Sequence, residues 1–296
     1  MFTNDPKNYV PLYSIPGPKT LFEMTWPEVE AERKAGTRIA IVTVGSVEPH
    51  GPHAPLGNDA LLAREYARHT LLHLQQMNVR AVIAPPVHFG LNPQMMNFPG
   101  AIDLRPETLM ALLTDICRSL HRHGFDRIAL MTAHAENWPL LVLLAQQLTH
   151  DPGIEVIALN WGRALYARHR EILDSTRFEG HGGEGETSRL MAVHPELVDL
   201  SKAVPFYVEE HGTPQQRAPI DRRKSEPLPF DNFFDGGGMF RAPRDFGLDQ
   251  TTVGHFGDPR LATAEKGRLA HDIVGEWQAR LIRRELAPEV EIPKEG

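Results

Sequence analysis

The sequence predicts an α/β fold, a three-layer αβα sandwich around a mostly parallel sheet, and three observations predict it. Four apolar runs rich in β-branched residues lack the strict apolar–polar alternation of a half-exposed strand, which is how strands covered on both faces read. Amphipathic helical patterns separate these runs, so strand and helix alternate and imply βαβ units. No internal repeat interrupts that order.

Residues 38–44 (RIAIVTV) form the first expected strand. A helix over 59–77 follows, with Leu61, Leu62, Tyr66, Leu71, Leu72 and Leu74 at helical spacing. The second strand is 79–87 (VRAVIAPPV). The next helix, 106–123, opens on Pro106, whose missing N–H costs nothing in a first turn, and stops at Gly124. Leu109, Leu112, Leu113, Ile116 and Leu120 share one stripe of it. Residues 127–133 (RIALMTA), 137–150 and 154–161 (IEVIALNW) continue as strand, helix and strand. Beyond about residue 200 the pattern loosens. Residues 208–250 are rich in Pro, Gly and Arg without clear periodicity, and read as a long insertion, either a functional loop or a mobile segment. A helical pattern returns over 258–286. The 296 residues therefore read as a single domain carrying one insertion.

Composition narrows the function. Hydrophobic content of 41% and charged content of 23% are globular values. The apolar runs fall well short of the roughly 20 residues a membrane helix needs, so no membrane role is expected. With 31 Lys+Arg against 38 Asp+Glu the net charge is −7, which argues against nucleic acid. The N-terminal residues lack the basic and apolar regions of a signal peptide, and the single Cys117 cannot form an internal disulfide, so a cytoplasmic location is expected. No Gly-x-Ser-x-Gly elbow and no Gly-x-Gly-x-x-Gly fingerprint is present.

The 15 histidines are the unusual count. Ligands of open α/β sheets sit beyond the carboxyl ends of the strands, and here each of the first three strands leads at once into histidine: GSVEPHGPHAPLGND (45–59), His88 after Val87, and His134-Ala135-Glu136-Asn137. So many hard and borderline ligands on one rim point to a metal site. In an extended Glu48-Pro49-His50, residues two apart face one side, and His134-x-Glu136 repeats the spacing. Asp59 stands where the next helix begins, either as a plain N-cap or as a carboxylate bridging two ions about 3.5–4 Å apart. His53 is placed to orient the loop. His181-Gly-Gly-Glu184-Gly-Glu186-Thr-Ser188 lacks the Gly-Lys-Ser/Thr of a phosphate loop. It reads as acid–base or supporting machinery, with His181 and a glutamate beside the metals, or as the cap of a helix over 189–192. His69, His73, His121, His123 and His150 read as surface histidines, and Cys117 as a buried inert thiol.

The stretches Trp26-Pro-Glu-Val, Val44-Gly-Ser-Val-Glu-Pro-His-Gly-Pro-His-Ala-Pro-Leu-Gly-Asn-Asp59, Phe98-Pro-Gly-Ala, His134-Ala-Glu-Asn137, His181-Gly-Gly-Glu-Gly-Glu-Thr-Ser188 and Gly257-Asp-Pro-Arg-Leu-Ala-Thr-Ala-Glu-Lys-Gly267 resemble the creatininase (creatinine amidohydrolase) family, in family order from about residue 20 to 285. The resemblance implies a homo-oligomer, a hexamer in many members, and two divalent ions per chain, zinc, manganese or iron. Carried over by position, it implies Glu48, His50, Asp59, His134 and Glu136 as ligands with Asp59 bridging, His181 as proton shuttle and Glu186 as its support. The residues facing a small-molecule substrate would include His88, Asn92, Ala135, Arg177 and Phe178. Three of these places depart from the members that hydrolyse creatinine. Asn92 replaces a serine, Ala135 a tyrosine, and Arg177-Phe178 stand near an expected tryptophan, while Thr132-Ala133 replace an Asn-Gly. Trading aromatic walls for Ala and Arg suits a larger or anionic substrate better than creatinine.

The expected reaction is hydrolysis of a carbon–nitrogen bond in a cyclic amide or formamide by hydroxide generated at the metal centre. Hydrolytic opening of a cyclic ketone at carbon–carbon is the alternative, and a metal-stabilised scaffold without activity is a third reading. Arg217, Arg222, Arg223, Arg241 and Arg244 of the insertion either recognise an anionic group on the substrate or form a solvated surface.

Overall fold

The computed structural model describes residues 18–177, 180–225 and 251–290. Helix α1 (Trp26–Lys34) comes first, its capping box closed by Thr25 and Glu28. Strand β1 (Ile39–Val44), helix α2 (Asn58–Gln76), strand β2 (Ala81–Ile83), helix α3 (Pro106–Arg122), strand β3 (Arg127–Thr132), helix α4 (Trp138–Leu148) and strand β4 (Glu155–Asn160) then alternate as the sequence predicts. All pairings are parallel and the order is β2-β1-β3-β4, with Ile39 opposite both Ala81 and Arg127.

Side-chain alternation along the strands divides the core into two layers. Ala40, Val42, Val44, Ile128 and Leu130 pack against Leu109, Leu113, Cys117 and Leu120 of α3 and Leu140, Leu141, Leu144 and Leu148 of α4. Ile39, Ile41, Ala129 and Met131 face the other way, onto Ala67, Leu71 and Leu74 of α2. Each fully buried Leu or Ile contributes roughly 1.5–3 kcal/mol, and every residue of β1 is buried. Burial alone pushes the Cys117 thiol up to about 12, in keeping with an inert core cysteine.

After β4 the chain forms α5 (Gly162–Ala167), α6 (His169–Ile172), α7 (Glu184–Val193), α8 (Val208–His211), α9 (Pro214–Ser225) and α10 (Ala264–Leu286). Ala279, Ile282 and Leu286 of α10 complete the α2 layer. No helix among the described residues is long and apolar enough to cross a membrane.

Three expectations change in detail. The second strand shrinks to Ala81–Ile83, because Pro85 and Pro86 have no N–H to give a ladder; Val87 rejoins the sheet as a single bridge to Val44. The helix expected over 189–192 starts five residues earlier, at Glu184. Residues 208–225 hold α8 and α9 where no regular structure is expected; α9 (PQQRAPIDRRKS) has no apolar stripe, so it leaves no periodicity to read. The remainder of the insertion, 226–250 with Arg241 and Arg244, and Phe178 lie outside the described residues.

His69 is half-buried rather than superficial, its ring stacked on His271 of α10 at 5.2 Å. His271 is fully buried and donates from Nε2 to the Arg189 carbonyl at 2.9 Å. Burial, reinforced by the charges of His69, Arg189 and Arg68, lowers its pKa to about 3. In the unfolded chain a histidine titrates near 6.5, so the unfolded state binds more protons between these values, and stability falls as pH drops from about 6.5 toward 3. Between pH 7 and pH 5 the metal-free protein should lose about 2 kcal/mol more than His271→Gln in denaturant unfolding. Equal pH slopes for the two proteins would show that His271 titrates as an ordinary histidine.

Candidate metal centre

The carboxyl ends of β1 and β3, the start of α2 and the start of α7 deliver one cluster. Glu48, His50, Asp59 and His134 are buried, with Glu136, His181 and Glu186 at its margin. Asp59 lies at the middle. Its Oδ1 is 3.1 Å from His50 Nε2, and its Oδ2 is 2.9 Å from His134 Nδ1 without hydrogen-bond alignment. Glu48 Oε1 is 3.1 Å from His134 Nδ1 and 3.4 Å from His181 Nδ1, and Glu186 Oε2 is 3.5 Å from His50 Nε2. Ligand atoms gather into three compact sets: Glu48, Asp59 and His134; His50, Asp59 and Glu186; and Glu48, His50 and His181. Asp59 belongs to two of them, one through each side of its carboxylate. It is not the N-cap: α2 begins at Asn58, Gly57 occupies the cap position, and no side chain caps the helix.

The imidazoles are oriented by backbone. His134 Nε2–H donates to the Leu91 carbonyl at 2.6 Å, His181 Nε2–H to the Pro49 carbonyl at 2.6 Å, and His50 Nδ1–H to the Glu48 carbonyl at 3.1 Å. In each ring the other nitrogen is left facing the carboxylates, which is the arrangement that fixes a ligand tautomer. The residues also fit a cation by what they lack: Asp59 Oδ2 and Glu136 Oε2 are buried with no hydrogen-bond partner, a costly state unless a positive centre meets them. Nitrogen and oxygen donors of this kind suit zinc, manganese or iron.

The charges agree. Burial disfavours a charged His50, yet Asp59, Glu186 and Glu48 outweigh it and raise the pKa to about 9. His134 is likewise buried and likewise held well above its ordinary value, chiefly by Glu48 and Asp59. Asp59 is pushed up by burial but pulled well below the usual carboxylate range by His50 and His134. Glu136 is raised, burial exceeding the pull of His134. Without metal, two imidazoles hold protons that a divalent ion has to displace.

Of the other residues singled out by sequence, Glu136 sits at the edge, with Oε2 3.7 Å from His134 Nε2. Glu186 Oε2 accepts from the Gly182 N–H at 2.7 Å, and its Oε1 lies 3.4 Å from Arg189 Nη2. His53 does hold its loop, through a 2.9 Å contact between Nε2 and Thr187 Oγ1. Asn92 is buried, its Nδ2 donating to the Val47 carbonyl at 3.1 Å beside Glu48. Ala135 and His88 are exposed at the rim. Arg177 is engaged elsewhere: its guanidinium lies 3.6 Å above the Tyr207 ring, donates to Glu210 at 2.7 Å and pairs with Glu209 at 3.6 Å. Its charge is thereby committed to α8.

Sequence reasoning missed two buried residues here. Glu184 accepts the Asp174 and Ser175 N–H groups at 2.8 and 2.9 Å and pairs with Lys266 Nζ at 2.5 Å, pinning the segment that leads to His181. Asn137 bonds to Gly45 after β1, to Thr132 at the end of β3 and to Leu91 in the loop after β2; it was visible only as the last letter of a motif.

Comparison with known proteins places this geometry. The creatininase profile, described as creatinine amidohydrolase, matches residues 22–282. A creatinine amidohydrolase of Pseudomonas putida is 28% identical over 284 residues, covering 90% of this chain and 96% of that one. A 3-dehydro-scyllo-inosose hydrolase of Thermotoga maritima is 27% identical over 187 residues, 61% of this chain and 58% of that one. A solved structure described as creatininase Mn superposes with a TM-score of 0.70 at 26% identity, over 90% of this chain and 99% of that one. A parallel four-stranded sheet with helices on both sides and a family match across nearly the whole chain lead to one conclusion: the chain belongs to the creatininase family.

Proposed function

We propose that this protein is a hydrolase dependent on two divalent metal ions, cleaving a carbon–nitrogen bond of a cyclic amide or formamide. The observation that carries the reading is the shared carboxylate: Asp59 presents Oδ1 toward His50 and Oδ2 toward His134, and it joins His50 and Glu186 in one compact ligand set and Glu48 and His134 in another. Glu48, His50, Asp59, His134 and Glu136 would hold the ions, Asp59 between them. When bound, such a pair lowers the pKa of a water toward about 7 and polarises a substrate carbonyl. His181 keeps its Nε2 proton on the Pro49 carbonyl, so Nδ1 is the atom that takes up a proton and gives it to the leaving nitrogen. Glu186 keeps the His181-Gly182 turn in place through the Gly182 N–H.

Creatinine itself is disfavoured as the substrate. Ala135 offers a methyl group rather than an aromatic ring at its place on the rim, which gives a small flat ring less to stack on there. Because Arg177 is neutralised by Glu210 and Glu209, substrate charge is a weaker guide than substrate size. The inosose hydrolase among the relatives favours a second reading, ring opening of a cyclic ketone at carbon–carbon by the same centre. The protein is proposed to act on a small molecule in the cytoplasm as a homo-oligomer, with a hexamer favoured.

Elemental analysis of protein purified without added metal should find close to two ions per chain. Affinity of the stripped protein should rise with pH up to about 9, where His50 releases its proton. Product analysis on lactams, N-formyl compounds and cyclic diketones separates the readings: amine release supports carbon–nitrogen cleavage, and a chain-opened keto acid supports the alternative. Full metal loading with turnover of none of these classes would favour the scaffold.

A further inference from the structure

The ends of β1 and β3 and the loop after β2 meet at one side chain. Asn137 is fully buried where the turn Ala135–Asn137 enters α4. Its Oδ1 accepts the Leu91 N–H at 2.9 Å, and its Nδ2 donates to the Gly45 carbonyl at 2.9 Å and to Thr132 Oγ1 at 3.3 Å. Gly45 follows β1 and leads to Glu48 and His50, Leu91 lies in the loop after β2, and Thr132 ends β3 just before His134. Two of these partners touch His134 directly. The Leu91 carbonyl receives His134 Nε2–H at 2.6 Å, and Thr132 Oγ1 accepts the His134 backbone N–H at 3.0 Å. Space has been kept for the carboxamide. A Cβ on Gly90 would lie 2.6 Å from Asn137 Oδ1 and 2.4 Å from the Gly45 carbonyl.

We infer that Asn137 is a positioning residue of the metal centre, holding Leu91 by its N–H so that the carbonyl of the same residue, in the next peptide group, locks His134 with Nδ1 toward Asp59 and Glu48. The role requires an acceptor and a two-proton donor in one short planar group, which only a carboxamide supplies. Aspartate keeps the acceptor toward Leu91 but cannot donate to Gly45; leucine of similar volume does neither. This inference rests on the cluster being a metal centre, and the test separates the two.

The full-length protein, stripped of metal, would be titrated with zinc against a chromophoric chelator, and the His134 ring nitrogens read by 15N NMR in the zinc-loaded form. Asn137→Leu is expected to weaken zinc binding about 10- to 100-fold and to alter the His134 Nδ1 and Nε2 signals. Asn137→Asp, which retains the Leu91 bond, should keep those signals near native and lose less affinity. Unfolding of the metal-free variants gives the fold correction. Should Asn137→Leu not fold, the aspartate variant carries the test alone, since an altered His134 pattern there would overturn the Leu91 link. Native zinc affinity and native ring signals in Asn137→Leu would overturn the positioning role, as would a loss of affinity accounted for entirely by unfolding. A wild-type protein that takes up no zinc, manganese or iron would overturn the metal reading instead.

Discussion

Asp59→Ala should strip the protein of both metal ions and of its hydrolytic activity while leaving it folded. Asp59 joins the two histidines through separate oxygens: Oδ1 faces His50 at 3.1 Å and Oδ2 faces His134 at 2.9 Å. Without it, the two sets that contain Asp59 keep two ligands each, and His50 and His134 lose an anion that draws protons or metal to them. The expected loss of turnover is on the order of a thousandfold or more, with metal content falling from about two per chain toward zero. Elemental analysis, far-UV circular dichroism and a melting curve check it together. A helix-dipole role alone would cost at most about 1 kcal/mol and spare the metal. An alanine variant that retains both ions would remove Asp59 from its bridging place.

The largest loss of stability is expected at Lys266→Met. Lys266 Nζ sits against Glu184, whose side chain is fully buried, and also donates to Asp174 at 2.7 Å and to the Leu261 carbonyl at 2.7 Å. Methionine matches the stem but leaves the Glu184 carboxylate buried without its cation, a defect that costs about 3–5 kcal/mol. Denaturant unfolding at neutral pH measures it. Lys266→Met with Glu184→Gln together should recover much of the loss, because the stranded charge is then gone. If the double variant is no more stable than the single one, the damage lies in packing rather than in charge.

The sheet was legible because its central strands β1 and β3 are buried on both faces and therefore read as unbroken apolar runs; Ile39–Val44 and Arg127–Thr132 differ from expectation by a residue at each end at most. Val79–Val87 misled for a chemical reason, since apolar character survives at Pro85 and Pro86 where ladder-forming ability does not. In the site, the spacing of Glu48 and His50 was readable because a short extended segment projects alternate residues to one side. Contacts that bring distant segments together were not. Lys266 meets Glu184 across 82 positions, and nothing near either residue in the chain announces the pair. The commitment of Arg177 to Glu210 and Tyr207 was equally hidden, because an arginine in a loop looks the same in sequence whether free or engaged.

The last described helix has a bearing on when the centre can form during synthesis. Helix α10 seats α7 through close backbone contact, where a Cβ on Gly267 would fall 1.9 Å from the Ser188 carbonyl, and through His271 on the Arg189 carbonyl. Through Lys266 it also fastens the segment ahead of His181. Glu48, His50, Asp59 and His134 leave the ribosome well before residues 264–286, and α7, which carries Glu186, gains its α10 contacts only when those residues arrive. A nascent chain thus carries the first residues of the proposed centre before the helix that packs against α7, and the full set of contacts around the centre is complete only after α10 has been translated and docked.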